Sequence, residues 1–372
     1  MSNNTEKKIL RNEIFNPEGS DSAKDRKIFG GNSSNFLNVA DVKYQFGIDA
    51  YNKMMQNFWI PEKISLGADI VQYLELNAYE KEIFNDLLSS LTWLDSAQMN
   101  NLPNLIDFIT APEIKLALSV QNFQEALHAK SYNNIVHSVI RLTDSKDLTY
   151  FYRNWSRNKF LEKRNNFFLT TFQEFQDNPN EFTFIKALVT TYVMEGINFT
   201  AAFRHFYDFV YSKNMLFGTI DTIKLIHRDE DSHASLFADI INELIKEDSK
   251  ILQKNLKTSM LEEIIKEGAE LEKEYISILH KEHDLSKTQL TINTINAIQA
   301  IEYITNVRAK KIGLNIIYPN APETDPQEHL VKVSGLDAKT GGLKESFFEN
   351  TVTNYKFTTQ DLISFDDEEE EK

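Results

Sequence analysis

The chain has no cysteine among its 372 residues. This rules out a disulfide framework and any reaction step needing a thiol from this chain. Glycine and proline are scarce, at 12 and 8 residues, and no proline interrupts 113–178 or 180–318. Proline inside a helix costs roughly 3 kcal/mol, so these stretches suit long helices better than strand-and-turn architecture. The chain also lacks an apolar run of about 18 residues that could span a membrane. The opening M-S-N-N-T-E-K-K has no apolar signal core, so a cytoplasmic location is expected. Positive charge is in deficit too, with a formal net charge of −15. Nucleic-acid binding needs a basic footprint and is therefore not expected.

What remains is an apolar, helix-compatible chain. It is 41% hydrophobic, enough for a large core, and an all-α protein is expected. Residues 1–35 are polar and read as a flexible lead-in. Residues 36–318 read as one helical domain, and 319–372 as an aperiodic, largely mobile tail ending in Asp366, Asp367 and Glu368 to Glu371. Helices are expected over 40–58, from a capping box at Asn77–Glu80 onward, and from Pro112 to about Ile140. More are expected from Glu181 to Ser212, from Leu216 to Ile245, over 254–282 and over 287–314. Residues 143–180 give no clear period before the turn at Asp177-Asn178-Pro179-Asn180.

Six side chains stand out on these helices. Glu125 and His128 form one E-x-x-H pair, Glu230 and His233 a second. Residues three apart lie on one helical face, about one turn from each other. Each pair follows a lone carboxylate, Asp95 or Glu195, far enough upstream for one helix to end and another to run back. Four helices would thus aim four carboxylates and two imidazoles at one place. This is the donor set of a dinuclear iron or manganese site in a ferritin-like bundle. One E-x-x-H alone is no more than a solvated helix face, but two in this order are unlike chance. Glu195 lies in the apolar stretch Leu188 to Phe203, where an unpaired charge would be very costly to bury. Gly196 beside it fits either a local helix distortion or close packing. Carboxylates with one imidazole per ion suit iron or manganese better than zinc.

Tyr132 shares the stripe of Glu125 and His128. Phe199 and Phe203 share that of Glu195, and Ile226 that of Glu230. Together they would close a dry pocket around a phenol that an oxidised metal pair can oxidise. Taken singly, the three apolar residues read equally well as plain core, and Tyr132 as an ordinary buried tyrosine.

At this point the chain resembles the small (beta), radical-generating subunit of class I ribonucleotide reductase. The segments that carry the resemblance are N-F-W-I-P-E at 57–62, T-W-L-D-S-A-Q at 92–98 and E-A-L-H-A-K-S-Y at 125–132. Further along are E-G-I-N-F-T-A-A-F at 195–203, L-I-H-R-D-E-D-S-H at 225–233 and I-E-Y-I-T-N-V-R at 301–308. The resemblance implies that Asp95, Glu125 and His128 hold one metal and Glu195, Glu230 and His233 the other. It implies that Tyr132 stores the radical and that Trp59, Asp229 and His128 form a relay. Tyr355 would pass the radical onward, and the tail, around Leu362 to Phe365, would dock the large (alpha) subunit. A homodimer follows as well, with two iron or two manganese ions or one of each, iron slightly favoured, and an activating flavoprotein as a further partner. A β-hairpin insertion between His128 and Glu195 is not expected. Three other readings stand beside this one. They are a stand-alone ferritin-like oxidase acting on a lipid-like ligand, a metal-storage bundle, and a helical interaction protein without metal.

Overall fold

The computed structural model describes residues 11–140, 148–247, 259–333 and 335. Helices dominate, and among the described residues only two isolated β-bridges occur, Ser20 with Ser33 and Phe29 with Ile109. The all-α expectation is met, and no strand lies between His128 and Glu195 among the described residues.

Two short helices, α1 (Gln45–Gln56) and α2 (Gly67–Glu75), precede the long α3 (Ala78–Ile106). The expected capping box opens α3. Asn77 Oδ1 accepts from Glu80 N at 3.0 Å, and Glu80 Oε2 accepts from Asn77 N at 3.1 Å. Such a cap is worth about 1 kcal/mol. Glu80 also takes an ion pair from Lys213 at 2.6 Å. Pro112 supplies the first residue of α4 (Pro112–Ile135), where its missing N–H costs nothing. The backbone then continues as a π-helical turn over Val136–Ile140.

The stretch that gave no clear period folds as α5 (Thr149–Arg157) and α6 (Lys159–Asp177). A second capping box, Asn180 with Thr183, opens α7 (Glu181–Val193). The single long helix expected from Glu181 to Ser212 is not what forms. A π-helical segment, Met194–Asn198, interrupts it before α8 (Thr200–Lys213). Asn214 and Leu216 take left-handed backbone (φ 56° and 64°) and turn the chain into α9 (Phe217–Lys246). Asp69 of α2 caps α9, accepting from Gly218 N at 3.1 Å and Thr219 N at 2.6 Å. Gly218 is needed there, since a Cβ would meet Ser65 O at 2.2 Å. The rest of the bundle is α10 (Ser259–Glu282), α11 (Thr294–Lys311) and the short α12 (Glu328–Val333).

α3 packs along α4, α9 packs on α7 and the π-helical segment, and α10 and α11 cover that segment from outside. One hydrophobic cluster runs through all of them, including Phe84, Leu91, Phe168, Phe184, Phe206 and Phe237. Burying a side chain of that size stabilises by about 1.5–3 kcal/mol. Residues 11–35, which composition marks as a lead-in, lie against the bundle. Ile28 is fully buried, and Arg26 pairs with Glu113 of α4 at 3.0 Å with both groups out of solvent. No helix among the described residues is long and apolar enough to cross a membrane.

Candidate metal centre

All six expected ligands converge in the core. Asp95 comes from α3, Glu125 and His128 from α4, Glu195 from the π-helical segment, and Glu230 and His233 from α9. They form two overlapping groups, Asp95–Glu125–His128–Glu230 and Glu125–Glu195–Glu230–His233. Within each group the ligand atoms lie no more than 4.8 Å apart. Glu125 and Glu230 belong to both groups, which is the placement bridging carboxylates need.

The two imidazoles are oriented alike. His128 turns Nδ1 toward the cluster, 3.1 Å from Asp95 Oδ1 and 2.9 Å from Glu230 Oε1. Its Nε2 faces outward to Asp229 Oδ2 at 3.3 Å. His233 places Nδ1 3.1 Å from Glu125 Oε1 and 3.0 Å from Glu230 Oε2, while Nε2 faces Gln124 Oε1 at 2.9 Å. An outward Nε2–H donating to an acceptor leaves Nδ1 free as a ligand, the usual arrangement around a metal-bound histidine.

Charge is the difficulty here, and it is informative. Burial raises the carboxyl of Asp95 to about 7, against the pull of His128. Burial and the charges of Glu125 and Glu195 push Glu230 well above the carboxylate range. Glu125 is raised by burial and by Glu195. Glu195 goes the other way. Burial opposes its charge, yet the nearby Glu230 and His233, and the Gln98 amide that donates to it, hold its pKa down. Both imidazoles overcome their burial and sit well above their ordinary value, because carboxylates surround them. Without a cation, then, protons must neutralise this cluster. Asp95 Oδ2, Glu125 Oε2 and Glu195 Oε2 are buried without a hydrogen-bond donor. Buried acceptors of this kind are costly unless something else binds them. The donor set, its convergence and these orphaned oxygens fit two cations, which would take the place of the protons.

Around the ligands the structure adds residues that the spacing did not single out. Gln121 Nε2 donates to Glu125 at 3.2 Å and to Glu195 at 3.0 Å, and Gln98 donates to the same Glu195 oxygen. Gln121 lies four residues before Glu125, and Gln98 three after Asp95, so helical register was the available signal. Trp59 Nε1 donates to Asp229 Oδ2 at 2.8 Å, and its ring stacks 6.2 Å from that of His128. Asp229 is fully buried, despite lying in the charged run R-D-E-D. Burial opposes its charge, but His128, Arg228 and Trp59 keep its pKa low. Arg228 holds it from the side, donating to Asp229 Oδ1 and to Asn57 O.

Tyr132 is fully buried, and its hydroxyl has no hydrogen-bond partner. Burial, then the charges of Asp95, Glu230 and Glu125, push its pKa well above that of a free phenol. Phe199, Phe203 and Ile226 are fully buried in the same cluster, with the two phenylalanine rings stacked 5.7 Å apart. Tyr355, the tail segment Leu362 to Phe365 and the acid run lie outside the described residues.

Comparison with known proteins agrees with this geometry. The family of the ribonucleotide reductase small chain matches residues 37–326. The chain belongs to that family. The Treponema pallidum ribonucleoside-diphosphate reductase subunit beta is 32% identical over 93% of this chain and 95% of its own length. The ribonucleotide reductase R2 subunit from Clostridium botulinum superposes with a TM-score of 0.81 at 32% identity, covering 88% of this chain and 99% of that one. The dimanganese(II)-NrdF of Streptococcus sanguinis shares the fold, with a TM-score of 0.64 at 20% identity over 80% of this chain and 98% of its own. The small-chain family is an oxidoreductase subunit with a dinuclear metal site, and the stand-alone oxidase and storage readings give way to it. Iron and manganese both remain compatible with the ligand set.

Proposed function

We propose that this chain generates and stores an oxidising equivalent on Tyr132 for a large subunit that reduces ribonucleoside diphosphates. The observation that carries this is a phenol with no hydrogen-bond partner, buried beside the carboxylates of a dinuclear metal site. In this reading Asp95, Glu125 and His128 hold one ion and Glu195, Glu230 and His233 the other, with Glu125 and Glu230 shared. Bound there, two redox-active ions would reduce oxygen and supply the oxidising power. The chain's own residues then do four things. The carboxylates would hold the ions and balance their charge. Tyr132 would give up one electron and its hydroxyl proton to the oxygen being reduced. Phe199, Phe203 and Ile226 keep water from its ring, so the radical is not quenched. Trp59, Asp229 and His128 provide a hydrogen-bonded route for electrons between the metal site and the outer layer of the bundle.

The rest of the proposal concerns partners. A homodimer is the expected working form, with iron slightly preferred over manganese and a flavoprotein as activator. Residues 319–372 would dock the large subunit, Tyr355 would pass the oxidising equivalent across, and the assembly would act in the cytoplasm. The absence of cysteine supports this division of labour, because the thiols that reduce a ribose must come from the partner. The test is deoxyribonucleotide formation by metal-loaded protein mixed with its large subunit. Native protein should give product and Tyr132→Phe essentially none. Equal turnover by both would sink the tyrosyl reading.

A further inference from the structure

Glu195 is the one ligand not carried on an α-helix, so something must fix the π-helical segment that bears it. A π-helical turn leaves backbone carbonyls without their usual i+4 donor. Gly196 O accepts from Arg308 Nε of α11 at 3.1 Å. The same guanidinium reaches across to α9, where Nη2 donates to Asp231 Oδ1 at 2.5 Å, one residue after the ligand Glu230. The backbone of Arg308 is engaged too, its carbonyl accepting from Tyr192 Oη at 2.8 Å just before the segment begins. Gly196 is shaped to this contact. A Cβ there would lie 3.0 Å from Arg308 Nε and 3.1 Å from its Cδ.

We propose that Arg308 is a positioning residue that sets the geometry of the Glu195–His233 half of the metal centre, by clamping the π-helical segment to α9. It touches no ligand atom and acts through the backbone at 196 and the side chain at 231. A planar guanidinium spans both contacts from a fixed fork, whereas a lysine ammonium serves one point at a time. The proposal rests on the dinuclear reading above.

The test is Mn(II) binding to the full chain, followed by electron paramagnetic resonance, with the thermal midpoint of the metal-free protein measured in parallel. Arg308→Lys is compared with Arg204→Lys, which weakens another buried ion pair, that with Asp325 at 2.6 Å. Native protein should bind two ions per chain. Arg308→Lys should bind one of them about tenfold or more weakly, the low end for losing an outer partner of a metal ligand, with an altered spectrum for the coupled pair. Arg204→Lys should keep native binding and spectrum even if its thermal midpoint falls. Native binding and spectrum in Arg308→Lys would overturn the proposal and leave Arg308 a purely structural residue. If Arg308→Lys does not fold, Asp231→Ala decides. It cuts the arm to α9 but keeps the Gly196 contact, and it should show the same selective loss, while native binding there would overturn the clamp. Native protein that takes up no ion pair would instead sink the dinuclear reading on which the clamp rests.

Discussion

The two halves of the metal centre share a sequence pattern but not a setting. In the Asp95–His128 half, three ligands project from uninterrupted α-helix, and the histidine's outer nitrogen faces a buried carboxylate, Asp229, which also holds Trp59. In the Glu195–His233 half, the lone carboxylate rides on a π-helical segment, and the histidine's outer nitrogen faces a neutral amide, Gln124. Gln98 and Gln121 complete that side. A carboxylate partner makes an imidazole more basic and continues outward to an oxidisable indole. An amide partner orients the ring and ends there. On the function proposed above, one half would conduct and the other would hold a ligand at an unusual backbone position.

Five perturbations test this contrast, in falling order of expected effect. Glu230→Ala removes a carboxylate shared by both halves. It should cost more than about 100-fold in metal affinity, since even an outer partner is worth 10–100-fold. Elemental analysis after loading would then find less than one ion per chain, whereas two retained ions would refute the shared-ligand geometry. Asp229→Asn should separate the halves. It keeps both ions within about 10–100-fold of native affinity but slows transfer to the large subunit far more, in a turnover assay at saturating metal. The matching change at the other histidine, Gln124→Ala, should weaken binding on a similar scale and leave transfer by the loaded protein intact. Equal transfer defects in both variants would erase the distinction.

The fourth perturbation is pH. Asp95 (about 7), Glu125 and Glu230 have raised carboxyls in the metal-free site, so ions must displace protons. Mn(II) affinity should fall as pH drops through 7, by at least about tenfold between about pH 8 and pH 6. A flat profile would mean the cluster is already deprotonated. The smallest effect lies outside both halves and calibrates them. His283 pairs with Asp86 at 2.6 Å and Glu82 at 3.2 Å, which raise its pKa against partial burial. A raised imidazole stabilises the fold at pH below its unfolded value, and that contribution is lost as pH rises through the folded value. His283→Gln should cost less than about 1 kcal/mol. Chemical denaturation should show that gap at acidic pH and see it close at alkaline pH.

The same contrast explains what could be read from the sequence. On regular α-helix, spacing converts directly to geometry, so Asp95, Glu125, His128, Glu230, His233 and the stripe position of Tyr132 were legible. Glu195 was legible as a ligand, but its helix was read as continuous. Gly196 allowed for a distortion there, but the partner of its carbonyl, Arg308, comes from a helix more than a hundred residues away, and local propensity carries no trace of that contact. Asp229 shows a similar limit. Its charged neighbours suggest a surface, and only the tertiary placement of Trp59 and Arg228 buries it. Arg26 is a third case, since its ion pair with Glu113 draws a polar segment onto the bundle.

Six converging side chains are proposed to hold a redox pair beside an oxidisable phenol. The most direct measurement is metal quantification joined to electron paramagnetic resonance on protein loaded anaerobically and then exposed to its oxidant. We expect two ions per chain and an organic radical signal that vanishes in Tyr132→Phe while both ions stay. A fully loaded native protein with no radical, or a signal that survives in Tyr132→Phe, would contradict the account.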